Sequence, residues 1–450
     1  MEISEENAFI VKGGTPLKGE VQLSGAKNVA LKVLIAGLLV DNPITFNNIP
    51  HLNDIHELLH LMRKLGARAE FVGDHDVLVD GSGLNLHEVD LLHGSKIRAS
   101  FMLFAPLLYR FGKAIIPNPG GCRLGARPID RHIKLLEAFG VDISYDSSTG
   151  YYNAVLKNSR LQGATYTFEK ASHTGTELGI MIGAIAEGQS IIKNAALEPE
   201  VDDMIRFLND AGARIRRSGN DIIIDGVDKL ASSHAQFTIM CDRLNAAAFG
   251  VFAVATKGDI VVKGLDAKYV TDFTDKLLEA GGGFEPNGDT LRFFYKGPLK
   301  STDITTIPHP GFNTDTQGPW AILMTQAEGV STIHETVFEN RFGYVEELRK
   351  LGAHIEFFQP DVPNPHEVYQ FGIPDEEELQ NRSQAIRITG PTKLHNGALV
   401  ASDIRAGASL VIAACVAEGE SVILGASHID RGYEQLEVQL SALGADIKRV

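Results

Sequence analysis

A phrase close to Leu-x-x-Leu-Gly-Ala recurs six times along the 450 residues, and it limits the possible folds more than any other feature. The copies stand at 61–67, 135–140, 207–213, 277–282, 348–353 and 440–445. Each predicts the end of an amphipathic helix. The glycine falls just past the last turn, where a positive φ closes the helix. The period of about 70 residues is longer than a solenoid repeat and fits a small α/β unit.

A second pattern lies between the copies. Almost wholly apolar stretches reach a Glu-Gly pair and then a strand-like segment, as at Glu187-Gly188 before Ser190-Ile191-Ile192. Glu328-Gly329 before Ser331-Thr332-Ile333 and Glu418-Gly419 before Ser421-Val422-Ile423 repeat it, with looser copies at 29–40, 100–111 and 244–256. A helix apolar all round is buried on all sides, whereas an amphipathic one covers a core. Each unit is therefore expected to hold one buried helix, one covering helix and about four short strands. Asn53, Asp130, Asp266, Asn340 and Asp430 are the expected caps of the covering helices. The sixth copy stops after Asp446-Ile447-Lys448 and lacks the strand that follows elsewhere, which Ala8-Phe9-Ile10-Val11-Lys12 matches. Two α/β domains of three units each are expected, 21–240 and 1–20 plus 241–450, the second completed by the N-terminal strand. A single ring of six units is the weaker arrangement, because six buried helices are hard to cover at once. Between Ile355 and Ile386 lies a Pro-rich and acidic insertion, expected to be a surface hairpin or loop.

Acidic residues outnumber basic ones, 57 to 42, for a formal charge of −15. That balance disfavours nucleic acid as a partner and makes any anion site depend on local cations. The longest apolar run, 29–40, carries Lys32 and is too short to span a bilayer. Cys122, Cys241 and Cys415 form no CxxC pair and no metal-ligand spacing. With no signal-peptide pattern at the acidic N-terminus, a reducing cytoplasm, no metal, no cofactor and no membrane are expected.

Two features carry chemistry. The stretch 117–130 is a Pro/Gly-rich surface loop in which Cys122 is followed by Arg123 and Arg127. Guanidinium groups near an exposed thiol favour the thiolate, so Cys122 is a candidate reactive group. The starts of the buried helices carry charges: Lys27 with Asn28, Arg98, Asp242 with Arg243, Asp315, and Asp403 with Arg405. Lys and Arg there oppose the helix macrodipole. Repeated at the same place in the unit, they suggest helix starts converging on a cleft for a ligand bearing phosphate, with or without carboxylate. Asp315 or Asp403 could act there as a general base, although a capping role explains Asp315 about as well.

The most specific segments are Ser24-Gly25-Ala26-Lys27-Asn28, Pro119-Gly120-Gly121-Cys122 through Arg127-Pro128, and Glu198-Pro199-Glu200. To these belong 308–315, Glu335-Thr336-Val337-Phe338-Glu339-Asn340-Arg341 and His428-Ile429-Asp430-Arg431. Over nearly its whole length the chain resembles the enolpyruvyl transferases that act on UDP-N-acetylglucosamine. The resemblance implies two inside-out α/β barrels of three units each, with the active site in the cleft between domains. It implies transfer of the enolpyruvyl group of phosphoenolpyruvate to the 3′-hydroxyl of UDP-N-acetylglucosamine, with release of phosphate. Cys122 is similar to the loop cysteine that protonates the enol carbon and is alkylated by fosfomycin. Lys27, Arg127, Arg405 and Arg431 look like the phosphoenolpyruvate clamp. Asn28, Arg98, Pro128, Ile129, Asp130, Asp315, Val337 and Arg341 look like sugar-nucleotide contacts, with Lys170 and Ser172 at the diphosphate side. Asp315 is similar to the residue that takes the hydroxyl proton, and Asp403 to a nearby carboxylate favouring the cationic centre. Asn245 and Arg131 depart from the family pattern. The alternative, a paralogue that binds a UDP-sugar as a sensor, is disfavoured by the presence of Cys122, Asp315 and Lys27.

Overall fold

Six helices carry few polar side chains, and packing hides them nearly completely. In the computed structural model, which describes residues 7–120, 129–372 and 383–450, they are Lys27–Gly37, Phe104–Phe111, His173–Ile185, Arg243–Ala255, Gln317–Thr325 and Ile404–Val416. Six amphipathic helices cover them: Asn53–Lys64, Asp130–Ala138, Pro199–Asp210, Thr271–Glu279, Val345–Lys350 and Leu436–Ala442. The described residues divide into two compact units, one formed by those between Ser24 and Met240 and one gathering those up to Leu23 with those from Cys241 on. Each holds three buried helices, three covering helices and, among the described residues, three sheets.

The sheets repeat one pattern. In the unit from Ser24, Gln189–Lys193 follows a buried helix, runs parallel to Thr165–Thr167 and antiparallel to Asp221–Asp225. Arg214–Ser218 then pairs antiparallel with the outer side of Asp221–Asp225. The strands at 44–47 and 259–263 have the same sequence of parallel and antiparallel neighbours. In the last sheet the place of the Asp221–Asp225 strand is taken by Ala8–Lys12, antiparallel to Glu420–Leu424 on one side and Asp446–Arg449 on the other. Lys18–Gln22 pairs in parallel with Asp259–Lys263, so this unit reaches Leu23 rather than the expected residue 20.

The covering helices end as their glycines predict. Gly66, Gly140, Gly212, Gly281, Gly352 and Gly444 have φ between 84° and 99°. In five of them the next N–H reaches back to the carbonyl five residues earlier, as from Ala67 to Met62 at 3.1 Å and Ala445 to Leu440 at 2.9 Å. That is the Schellman closure, which satisfies otherwise orphaned carbonyls. The helix starts differ from expectation. Asn53 and Asp130 are the first helical residues and not caps, and Asp266 caps only the short turn Ala267–Tyr269. Asn340 and Asp430 lie several residues before Val345 and Leu436, where the helices begin. An acid in the first turn gains from the macrodipole without capping, so composition alone does not separate the two positions. The insertion also differs from a plain surface loop. Pro365–Val368 is a helical turn, Tyr369 behind it is fully buried with its hydroxyl 3.1 Å from His334 Nε2, and the Gln370 N–H donates to the Thr336 carbonyl at 2.8 Å.

A Cβ at Gly444 would meet no atom within 4 Å, so only its φ of 95° opposes a side chain. Gly444→Ala is expected to destabilise its unit by about 1–2 kcal/mol, seen as a lower melting midpoint with native-like circular dichroism before the transition.

Candidate functional site

Each unit is built around buried helix starts, and the predicted residues fall into two clusters. In the unit from Cys241 on, the turn Thr314–Thr316 leads into Gln317–Thr325. Asn313 caps it, its Oδ1 accepting from the Asp315 N–H at 2.7 Å, while the Asn313 N–H donates to Asp272 Oδ2 at 3.2 Å. The backbone of Asp315 is thus held from both sides, which leaves its carboxylate for other partners. Oδ1 accepts from Arg341 Nη2, and Oδ2 lies 3.5 Å from Arg405 Nε.

Glu335, fully buried, fixes this arrangement. Its Oε1 accepts from the Val337 and Phe338 N–H groups at 2.7 and 3.0 Å. Its Oε2 accepts from Thr314 Oγ1 at 2.8 Å and Gln317 Nε2 at 3.3 Å. One carboxylate therefore joins the Asp315 turn to the segment bearing Val337 and Arg341. Burial pushes the Glu335 carboxyl up, against the pull of Arg341 and these hydrogen bonds. Burial likewise opposes the charge on Arg405, but Tyr433, Asp315 and Asp242 outweigh it and hold the guanidinium above its ordinary value. Arg405 Nη1 is buried with no hydrogen-bond partner among the described residues. Asp403, expected as a base or a stabiliser of positive charge, is engaged as the N-cap of Ile404–Val416. Its Oδ1 accepts from the Arg405 and Ala406 N–H groups, both at 3.0 Å, so the cap orients the residue that bears the guanidinium.

In the unit from Ser24, Gly25 allows the close approach that starts the first buried helix. A Cβ there would lie 1.8 Å from the Asn48 carbonyl oxygen. Lys27 opens the helix and pairs with Asp54 at 2.7 Å, both side chains nearly buried. The Asn28 carbonyl accepts from Lys32 Nζ at 2.6 Å. Ser172 caps His173–Ile185, its Oγ accepting from the Gly175 N–H at 3.2 Å. Ile129 is buried and its carbonyl accepts from the His132 and Ile133 N–H groups, so Asp130 begins the helix beside it.

Cationic groups gather near that point. Burial lowers the Lys170 ammonium first, and Arg131 lowers it further. His132 Nε2 is 2.8 Å from Thr174 Oγ1, and burial, then Arg98 and Arg131, push its imidazole down to about 3. The structure thus brings Arg98, His132, Arg131 and Lys170 within electrostatic reach of one another. It brings Asp315, Arg341, Arg405 and Val337 together in the other unit. Cys122, Arg127 and Pro128 lie outside the described residues.

Sequence reasoning missed Glu335, Asp272 and His132. The first sat inside a quoted motif with no role given, and the other two had no local signal. Among the described residues no group of three His, Cys, Asp or Glu side chains could hold a metal ion. No described helix is long and apolar enough to cross a membrane.

The profile of the EPSP synthase family (3-phosphoshikimate 1-carboxyvinyltransferase) matches residues 11–440. UDP-N-acetylglucosamine 1-carboxyvinyltransferase 3 of Caldanaerobacter subterraneus is 42% identical over 444 residues, covering 98% of this chain and 99% of that protein. UDP-N-acetylglucosamine 1-carboxyvinyltransferase of Desulfosudis oleivorans is 40% identical over 443 residues, with coverage of 98% and 99%. Among solved structures, the enolpyruvyl transferase NikO from Streptomyces tendae superposes with a TM-score of 0.86 at 24% identity, covering 99% of each chain. EPSP synthase from Acinetobacter baumannii gives 0.70 at 18% identity, covering 98% of this chain and 100% of that one. The two structural likenesses establish the fold.

The low value at His132 has a consequence for acid stability. The native imidazole stays neutral down to about pH 3, whereas the unfolded one takes up a proton near 6.5. The unfolded chain therefore binds more protons across that window, and stability falls as pH drops from about 6.5 toward 3. His132→Gln is expected to flatten this acid limb, read from urea unfolding midpoints at a series of pH values.

Proposed function

Because the chain belongs to the UDP-N-acetylglucosamine 1-carboxyvinyltransferase family of enolpyruvyl transferases, we propose that it transfers the enolpyruvyl group of phosphoenolpyruvate to the 3′-hydroxyl of UDP-N-acetylglucosamine, releasing phosphate. We read each unit as an inside-out α/β barrel, with its three buried helices inside the sheets and covering helices. The reaction is the first committed step of peptidoglycan precursor synthesis, carried out in the cytoplasm.

The chemistry divides into addition and elimination. A proton from the Cys122 thiol goes to the methylene carbon of phosphoenolpyruvate, and the adjacent carbon becomes cationic. The sugar 3′-oxygen bonds to that carbon as its proton passes to Asp315. The bond from the same carbon to the phosphate oxygen then breaks, phosphate leaving with the electron pair and the proton held by Asp315, while a methyl proton returns to the Cys122 thiolate and restores the double bond. Lys27, Arg127, Arg405 and Arg431 hold the phosphate and carboxylate of the first substrate. Asn28, Arg98, Ile129, Asp130, Lys170, Ser172, Val337 and Arg341 hold the sugar nucleotide, with Pro128 beside them.

The observation that best supports this reading is the environment of Asp315. A carboxylate between two guanidinium groups is anionic, and Arg405 Nη1 is a buried donor whose missing acceptor an anionic substrate would supply. If the substrate draws Arg405 toward itself, Asp315 Oδ2 loses a cationic neighbour and is better placed to accept a proton. Asp403 then serves by keeping Arg405 on its helix start. Glu335 serves by holding Val337 and the Asp315 turn together.

Phosphate release from phosphoenolpyruvate is expected to depend on UDP-N-acetylglucosamine. Asp315→Asn should lower kcat by at least about a hundredfold, in line with loss of general-base catalysis. Cys122→Ser should lower turnover at neutral pH with sugar-nucleotide affinity nearly unchanged, and fosfomycin should add one equivalent of mass to the parent but not to Cys122→Ser. Tight UDP-N-acetylglucosamine binding without any phosphate release would instead favour a sugar-nucleotide sensor.

A further inference from the structure

The reaction leaves unused a group of ionisable side chains buried within the unit from Ser24 to Met240. Glu177, on His173–Ile185, has no exposed surface. Lys32 Nζ, from Lys27–Gly37, lies 3.4 Å from its Oε2, and the Lys32 side chain is itself nearly buried. His173 Nε2, one turn before Glu177, lies 3.3 Å from its Oε1. Neither pair has hydrogen-bond alignment. Both Glu177 oxygens and His173 Nε2 lack a hydrogen bond among the described residues.

An apolar trio of similar volume is often as stable, because an ammonium, a carboxylate and an imidazole lose hydration here that the pairs do not fully restore. Stability therefore does not explain the cluster. Its connections do. Lys32 Nζ also donates to the Asn28 carbonyl at 2.6 Å, one turn toward the helix start. His173 follows Ser172, which caps the same helix through Gly175. The cluster thus links the starts of two buried helices at Asn28 and Ser172, both assigned above to the sugar nucleotide.

Its charge also has a sign. Burial works against the imidazolium of His173, but Glu177 and then Glu198 outweigh it and raise His173 above its ordinary value, with Lys32 opposing. His132 meets the same helix start through Thr174 and stays neutral. Lys32 and His173 both face the Glu177 carboxylate, so the cluster couples the two helix starts electrostatically.

We propose that Lys32, Glu177 and His173 form a buried positioning triad that sets Asn28 and Ser172 for the sugar nucleotide, and so governs affinity for that substrate rather than the rate of the chemical step. This rests on the reading of the site under Proposed function.

The test is the full-length double variant Lys32→Met with Glu177→Gln, which removes both charges at nearly constant volume and avoids leaving Glu177 buried beside His173 alone. Expected is a folded protein whose UDP-N-acetylglucosamine KM, and Kd by calorimetry, weaken about tenfold, the scale of a small misplacement of binding groups. The KM for phosphoenolpyruvate and kcat at saturation should stay within about twofold, as they would not if the site were generally damaged. Unchanged sugar-nucleotide KM and Kd would overturn the proposal, as would an equal loss in kcat and in the phosphoenolpyruvate KM. Should the double variant not fold, His173→Gln gives the same reading, with a smaller weakening of UDP-N-acetylglucosamine binding expected and no change overturning the proposal. Parent protein that binds no UDP-N-acetylglucosamine would overturn the functional reading and this inference with it. Parent that binds it while the double variant binds equally well overturns this inference alone.

Discussion

A helix hidden on every side still has backbone N–H groups at its start with no partner inside the helix. That constraint shapes this protein. Side-chain caps meet it at Asp242, Asp403 and Ser172, and Asn313 does so for the turn before Gln317–Thr325. Each cap brings a polar or charged group into a nearly dry place. Carboxylates close behind these starts gather basic groups, as Asp315 does with Arg341 and Arg405 and Glu177 does with Lys32 and His173. The apolar packing and the charged machinery are therefore two sides of one requirement.

This explains which parts were legible in the sequence. The six helix ends were, because a Schellman closure needs one residue at positive φ and leaves a glycine at a fixed offset from the last apolar residue. The buried helices were legible because no other element tolerates so long an apolar run flanked by Gly. The starts of the covering helices were not, since Asn53 and Asp130 serve as well in the first turn as one position earlier. Tyr369 was hidden within an insertion dominated by Pro and acid, and its buried place beside His334 depends on a segment 35 residues away.

The site shows the same division. Charges at Lys27, Asp315 and Arg405 stood out against apolar surroundings, and the resemblance to enolpyruvyl transferases attached roles to them. The groups that hold them did not stand out. Glu335 reaches Thr314 across 21 positions, and Asp272 reaches Asn313 across 41. Such partners leave no periodic trace. Asp403 is ambiguous for the opposite reason, since a carboxylate at a helix start reads alike as a cap and as a base. The backbone N–H groups of Arg405 and Ala406 give it the first role. A net charge of −15 gave no hint of the cationic group formed by Arg98, Arg131 and Lys170, because local geometry and not the total sets the potential at a site.

Ala8–Lys12 lies between strands that begin more than 400 residues later in the chain, and Ala8 and Val450 exchange hydrogen bonds of 3.0 Å in both directions. During synthesis that strand is made long before its neighbours and waits for them until Glu420–Arg449 has left the ribosome. The stretch from Ser24 to Met240 has all of its own strands long before then, and can fold while the earlier strand is still unpaired. An exposed, apolar strand held open for that long is a site for pairing with the wrong chain. The order of translation therefore leaves Ala8–Lys12 unpaired for longer than any strand of the other unit, although Phe9 and Val11 are fully buried in the finished fold.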